Sequence, residues 1–160
     1  MRVIANQIPR ASVRTTLTYR FHPRVSAGVE YNPRAGKVSP LANVLAVKET
    51  LKRPALIVGT SSDRIGTPSG QSFYATLSKN LKRETKLPIA PYAGLAYGTY
   101  EDRLRPIGGL NIGFTEQFTS LIIFDGVHVH PMLNYSYQRH AFSFLLVRGR
   151  HPGVSYSVAF

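Results

Sequence analysis

The last seven residues, Val154-Ser155-Tyr156-Ser157-Val158-Ala159-Phe160, place an apolar side chain at every second position. Successive side chains of an extended strand point to opposite faces, so Val154, Tyr156, Val158 and Phe160 share one face and the small or polar residues share the other. Residues 12–21 repeat the pattern: Val13, Thr15, Leu17, Tyr19 and Phe21 oppose Ser12, Arg14, Thr16, Thr18 and Arg20. After the break at His22-Pro23-Arg24, Val25, Ala27, Val29 and Tyr31 oppose Ser26, Gly28 and Glu30. Strands of this kind need a partner on each side and an apolar medium against one face.

The rhythm continues to the end of the chain. Strands are predicted over 54–61, 71–79, 89–100, 106–115, 118–124, 127–137 and 141–147, with turns at Asp125-Gly126, at Gln138-Arg139-His140 and over 148–153. Residues 39–53 are ambiguous. Ser39-Pro40 suits a helix start, yet Leu41, Leu45 and Val47 alternate, which favours a strand near 41–48. With a short strand in 2–8, the count is about twelve, or about ten if 39–61 does not pair this way. The expected fold is therefore all-β: one domain spanning 1–160, closed as an antiparallel up-and-down β-barrel.

Composition narrows the setting. No run approaches the roughly eighteen apolar residues of a membrane-spanning helix, whereas a spanning β-strand needs only about ten residues with alternate apolar positions. Hydrophobic content of 43% and charged content of 18% are low for a soluble chain. There is no cysteine, so neither disulfides nor thiolate metal sites contribute. The N-terminus lacks the charged, apolar and small-residue regions of a signal peptide, so an exported form implies processing or truncation. Twenty Lys and Arg against eight Asp and Glu give +12, which favours nucleic acid, anionic lipid or acidic polysaccharide as a partner class. The densest basic stretch is Lys79-Asn80-Leu81-Lys82-Arg83-Glu84-Thr85-Lys86.

The C-terminal heptad resembles the terminal strand of bacterial outer-membrane β-barrel proteins, with alternate hydrophobic residues, a central aromatic and a final Phe. The resemblance implies a bacterial outer-membrane location, membrane lipid as the surrounding medium, and insertion by the barrel-assembly machinery. On that reading the lipid-facing belt comprises Val13, Leu17, Val29, Phe73, Leu95, Ile112, Tyr135, Phe142, Phe144, Tyr156 and Phe160. Arg14, Arg20, Glu30, Asn111, Asn134 and Ser157 would line the lumen, and Tyr19, Tyr31, Tyr97, Tyr137 and Phe160 would form interfacial girdles. The function implied is structural or that of a small pore, one that favours anions if open because lumen arginines outnumber acids.

No chemical site stands out. His128 and His130 lie at a spacing that would put both on one strand face, where Asp125 could fold back, but two ligands do not make a metal site. A lipid-modifying trio of His128, Ser136 or Ser143, and Asp125 is not singled out among many Ser and Thr, and there is no nucleophile elbow. Glu101 and Asp102 read as solvated charges or as partners for lumen arginines. The glycine clusters at 94–98 and 109–113 lie in strand patterns and suit close packing in a curved sheet. No enzyme, cofactor or metal is expected.

The competing class is a soluble β-barrel that binds a small ligand or an acidic partner such as nucleic acid. Two features count against it. Aromatic and basic residues fall on opposite faces, which suits nucleic-acid stacking poorly. The non-aromatic faces of the later strands carry mostly Ser, Ala, Gly and Asn, too few charges for a solvated exterior.

Overall fold

The computed structural model describes residues 1–5 and 9–160. The chain forms a closed barrel of twelve antiparallel strands, each paired with its neighbours in sequence and the last with the first. The strands are β1 Arg2–Ile4, β2 Val13–His22, β3 Val25–Asn32, β4 Lys37–Val47, β5 Ala55–Ser62, β6 Gln71–Ser78, β7 Ile89–Gly98, β8 Arg103–Gly113, β9 Phe118–Phe124, β10 Val129–Tyr137, β11 His140–Val147 and β12 His151–Val158. Two four-residue helices, α1 Pro9–Ser12 and α2 Lys82–Thr85, sit in connections. Among the described residues no helix is long and apolar enough to cross a membrane.

The ambiguous stretch resolves as β4. Pro40 lies inside the strand opposite Val29, and eight residues of β3 pair along its length, so available ladder partners outweigh the local helix signal. That pairing makes the strand count twelve and removes the ten-strand alternative. The predicted strand in 2–8 is β1, three residues long, and Asn6, Gln7 and Ile8 lie outside the described residues. β1 reaches β2 only at Arg2 opposite Arg14 and Val3 opposite Val13, whereas β2 runs alongside β3 from Thr15 to His22.

One end of the barrel carries loops 23–24, 48–54, 79–88, 114–117 and 138–139 together with Phe160, and is called here the C-terminal rim. The other, the α1 end, carries α1 and loops 33–36, 63–70, 99–102, 125–128 and 148–150. Register fixes the two faces of the wall. Leu17 opposes Val29, Phe73 opposes Tyr97, Leu95 opposes Pro106, and Phe142 lies between Tyr135 and Tyr156. These positions form the outer face. Among the described residues, thirty-three large apolar side chains are exposed and only five apolar residues are buried.

The inner face is less bland than its glycines and serines imply. Ile4, Leu145 and Val147 form a buried apolar cluster toward the α1 end, with Ile65 and Met132 packed against it. Tyr74 and Tyr92 also turn inward, each over a glycine. A Cβ on Gly59 would stand 2.7 Å from the Tyr74 hydroxyl, and one on Gly109 2.5 Å from the Tyr92 ring. A Cβ would come closer still to a neighbouring strand's carbonyl, Ala42 O at 2.5 Å for Gly59 and Ile122 O at 2.2 Å for Gly109, so these glycines admit both a close strand and an aromatic ring in a crowded, curved sheet.

Candidate functional site

Polar side chains converge at the α1 end and close it. Arg10, at the start of the chain's first helical turn, is 5% exposed and spends its whole guanidinium on the loop 63–70. Its Nε donates to the Thr67 carbonyl (2.8 Å) and its Nη1 to that of Gly70 (3.1 Å). Its Nη2 donates to the carbonyls of Asp63 (2.7 Å) and Arg64 (3.0 Å) and to the Thr67 hydroxyl. Burial lowers the pKa of Arg10 from its ordinary value, while Glu30 and Asp63 pull it back up. A cation without a bidentate acid is tolerable here because five acceptors replace its water.

Asp63 anchors the same loop to the wall. It accepts the backbone N–H of Arg64 at Oδ1 (2.7 Å) and that of Tyr100 at Oδ2 (3.1 Å). Its carboxylate is packed so tightly on β7 that a Cβ on Gly98 would lie 2.5 Å from Oδ1. Next to it, Glu101 bridges two cations, accepting from Arg64 at both oxygens and from Arg105 Nε (3.1 Å) and Nη2 (2.9 Å). The hydrogen bond from Arg64, joined against burial by those from Arg105, holds the Glu101 carboxyl down at about 2. Glu101 is therefore a partner for arginines, one of the two roles its sequence suggested.

Asp125 does fold back, but onto His130 rather than toward a metal. Its Oδ1 accepts the backbone N–H groups of Val127 (3.0 Å) and His128 (2.7 Å), and its Oδ2 lies 2.9 Å from His130 Nε2. Burial pushes the Asp125 carboxyl up, and the bonds from His130 and the two amides outweigh it, leaving the pKa lowered. His130 Nδ1 accepts the backbone N–H of Arg148 (3.1 Å). Both ring nitrogens of His130 are thus occupied, with Nε2 as the donor to Asp125.

His128 precedes β10, in the turn, so the two histidines do not share a strand face. Burial and then the charge of Arg148 lower the His128 pKa. Among the described residues no group of three His, Cys, Asp or Glu could hold a metal ion. Ser136 and Ser143 lie on β10 and β11 away from the Asp125 turn, with Ser136 opposite Ala141 near the other rim, so the trio of His128, Ser136 or Ser143, and Asp125 is not assembled.

Of the residues assigned to the lumen, Arg14 and Glu30 meet near this end at 2.6 Å, and Glu30 is 1% exposed. Glu30 also accepts from Asn32 Nδ2 (2.8 Å) and the Ser62 hydroxyl (2.6 Å). Asn134 faces inward and donates to Thr119 Oγ1 (3.3 Å). Asn111, Ser157 and Arg20 face inward and are exposed. Arg20 also lies above the height at which β1 flanks β2.

Of the residues assigned to the belt, Val13, Leu17, Val29, Phe73, Leu95, Ile112, Tyr135, Phe142, Phe144 and Tyr156 all lie on the outer face. Phe160 does not belong with them: β12 ends at Val158, and Phe160 projects past it, 98% exposed. Tyr19 and Tyr137 ring the outer wall near the C-terminal rim, and Tyr31 and Tyr97 near the α1 end.

Between this polar closure and the inward tyrosines lies a cavity of about 170 Å³, lined by Ser61, Ser72, Tyr74, Tyr92, Arg105 and Ile107 among others. Each acid around it already accepts at least two donors, so the arrangement holds loops rather than poising a base. Arg10 could not be found from sequence, since four of its five acceptors are backbone carbonyls, 53 to 60 residues away, and the fifth is the Thr67 hydroxyl. No protein-family model, curated protein or solved structure matches the chain.

Proposed function

We propose that the protein is an integral β-barrel of the bacterial outer-membrane type, with lipid around its wall and an interior built as a cup rather than a through-pore. The observation that carries this reading is the outer face: aliphatic and aromatic side chains on the outer face of strand after strand. Burying one such side chain is worth about 1.5–3 kcal/mol, so a wall of them turned to water would be a poor arrangement. A soluble barrel would turn that face into its core and clothe its exterior with charge. Eleven of the strands run seven to eleven residues, close to the ~9–11 that a tilted membrane strand needs. Tyrosines near both ends fit interfacial girdles.

The role follows from the closed end. Arg10 and loop 63–70 stop the interior, so the resting barrel is structural, and it conducts only if that clasp is released. Arg2, Arg14, Arg20, Arg103 and Arg105 face inward; Glu30 holds Arg14 and Glu101 holds Arg105, and the arginines left over make an opened lumen favour anions. The C-terminal strand would address the chain to the barrel-assembly machinery.

Purification in detergent, followed by gels with and without boiling, tests the reading. Heat-modifiable migration and precipitation without detergent support it. A monodisperse, β-rich protein in plain buffer would transfer the case to the soluble barrel.

A further inference from the structure

The cations of the two rims are used differently. On the C-terminal rim, loops 48–54 and 79–88 are tied together by Lys79, whose Nζ donates to the carbonyls of Thr50 (2.6 Å) and Leu51 (2.8 Å) and lies 3.8 Å from Glu84. The backbone N–H of Asn80 donates to Glu49 (3.1 Å). Both local acids are thereby engaged within the loops. Lys48, Lys52, Arg53, Lys82, Arg83 and Lys86 are all exposed, and none makes an ion pair among the described residues. Leu51 and Leu87 stand among them, 64% and 57% exposed.

We propose that this edge of the C-terminal rim is a contact surface for an anionic phospholipid leaflet, its six free cations meeting headgroup phosphates while Leu51 and Leu87 enter the acyl boundary. The proposal rests on the membrane reading above. The cations stand just beyond Leu56 and Leu77, the last outward apolar residues of β5 and β6, at the height where phosphates begin. Juxtamembrane Lys and Arg clusters attract anionic lipid through their summed charge. The cleft between the loops measures about 580 Å³ and is lined by Leu51, Lys82 and Arg83 together with Glu49 and Glu84, room enough for a headgroup. A nucleic acid fits less well, because neither loop carries an aromatic residue on which a base could stack.

The test reconstitutes the full chain into vesicles of phosphatidylcholine alone and of phosphatidylcholine mixed with phosphatidylglycerol. Flotation reads insertion, and spin-labelled lipids read headgroup preference. The expected result is insertion in both, a preference for phosphatidylglycerol on the order of tenfold that fades with salt, and its loss in the variant Lys52→Glu/Arg53→Glu/Lys82→Glu/Arg83→Glu. Heat-modifiable migration verifies that this variant folds, and the neutral pair Lys82→Gln/Arg83→Gln gives an intermediate preference. The variant Arg34→Glu/Arg150→Glu at the α1 end keeps the preference.

Equal affinity for both lipids with normal insertion overturns the proposal and leaves the membrane reading standing. So does an equal loss from the Arg34/Arg150 variant. A preference abolished by inorganic phosphate, but not by chloride at the same ionic strength, assigns the surface to free phosphate instead. Failure to insert into either vesicle removes the membrane reading and this proposal with it.

Discussion

The two ends of the barrel start from the same kind of side chain and use it in opposite ways. At the α1 end, Arg10 is consumed by backbone carbonyls, Arg14 by Glu30, and Arg64 and Arg105 by Glu101. At the C-terminal rim, six cations project from two loops with no ionic partner among the described residues. A buried charge must be matched or it unfolds the site, whereas an exposed one contributes little to stability and is left to act on whatever approaches. The contrast teaches that net charge locates neither role. The +12 of the chain divides into a portion that closes the barrel and a portion that faces outward.

The largest test of this contrast is Arg10→Met, which keeps the length and removes every donor. The carbonyls of Thr67 and Asp63 then lose their buried partner, and stability in detergent should drop on the order of 3 kcal/mol. The closed end should also loosen, so planar-bilayer recordings should show anion-favouring conductance absent from the parent. A variant as stable and as silent as the parent would break the assignment of Arg10 as the clasp.

Glycine substitutions sharpen the same contrast. A Cβ on Gly98 would meet the Asp63 carboxylate at 2.5 Å, whereas one on Gly113, near the C-terminal rim, finds Pro88 at an ordinary 3.5 Å. Gly98→Ala should cost about 1–3 kcal/mol, and Gly113→Ala within about 0.5 kcal/mol, read from unfolding midpoints in one detergent. Equal costs would mean that the α1 end is no tighter than the rim.

Acid should act on the α1 end through its carboxylates. The folded pKa of Glu101 lies at about 2, below its ordinary 4.5, and that of Asp125 is lowered as well. A depressed carboxyl stabilises the fold at pH above its ordinary value, and that contribution is lost as pH falls through the interval down to the folded value. Melting temperature should therefore hold steady down to about pH 4.5 and decline toward about pH 2. Glu101→Gln should flatten part of that decline. An acid profile identical in parent and variant would show that the Arg64–Glu101–Arg105 bridge carries no weight.

Much of the wall was legible because period-two alternation is a local signal: β2, β3, β7 and β12 follow from residue order within ten positions. The strand near 41–48 was readable from the alternation of Leu41, Leu45 and Val47 despite the helix-start signal at Ser39-Pro40, and β4 extends it back to Lys37 through pairing with β3. The outer face was equally readable, except that Phe160 lies beyond the last ladder pair. The closed end was legible only in part: Arg14 and Glu30 as inward residues, and Glu101 as a partner for arginines, were readable, whereas the clasp itself was not. Arg10 bonds to main-chain oxygens that carry no residue identity, and the bond from His130 to Asp125 depends on a turn whose backbone N–H groups orient the acid. Long-range closure through backbone acceptors leaves no pattern in sequence.

The smallest expected effect separates stability from recognition. Lys52→Gln and Lys82→Gln each remove a charge that makes no ion pair among the described residues, so unfolding midpoints in neutral detergent should stay within about 0.5 kcal/mol of the parent. Arg64→Gln, a neutralisation of the same size at the other end, strips Glu101 of its strongest donor and should cost more, on the order of 1.5–3 kcal/mol. Measured side by side, the three substitutions ask whether position in the barrel, rather than charge itself, decides what an arginine or lysine contributes. A destabilisation from Lys52→Gln as large as that from Arg64→Gln would mean that the rim cations hold loops 48–54 and 79–88 in place, and so are not free to meet a ligand.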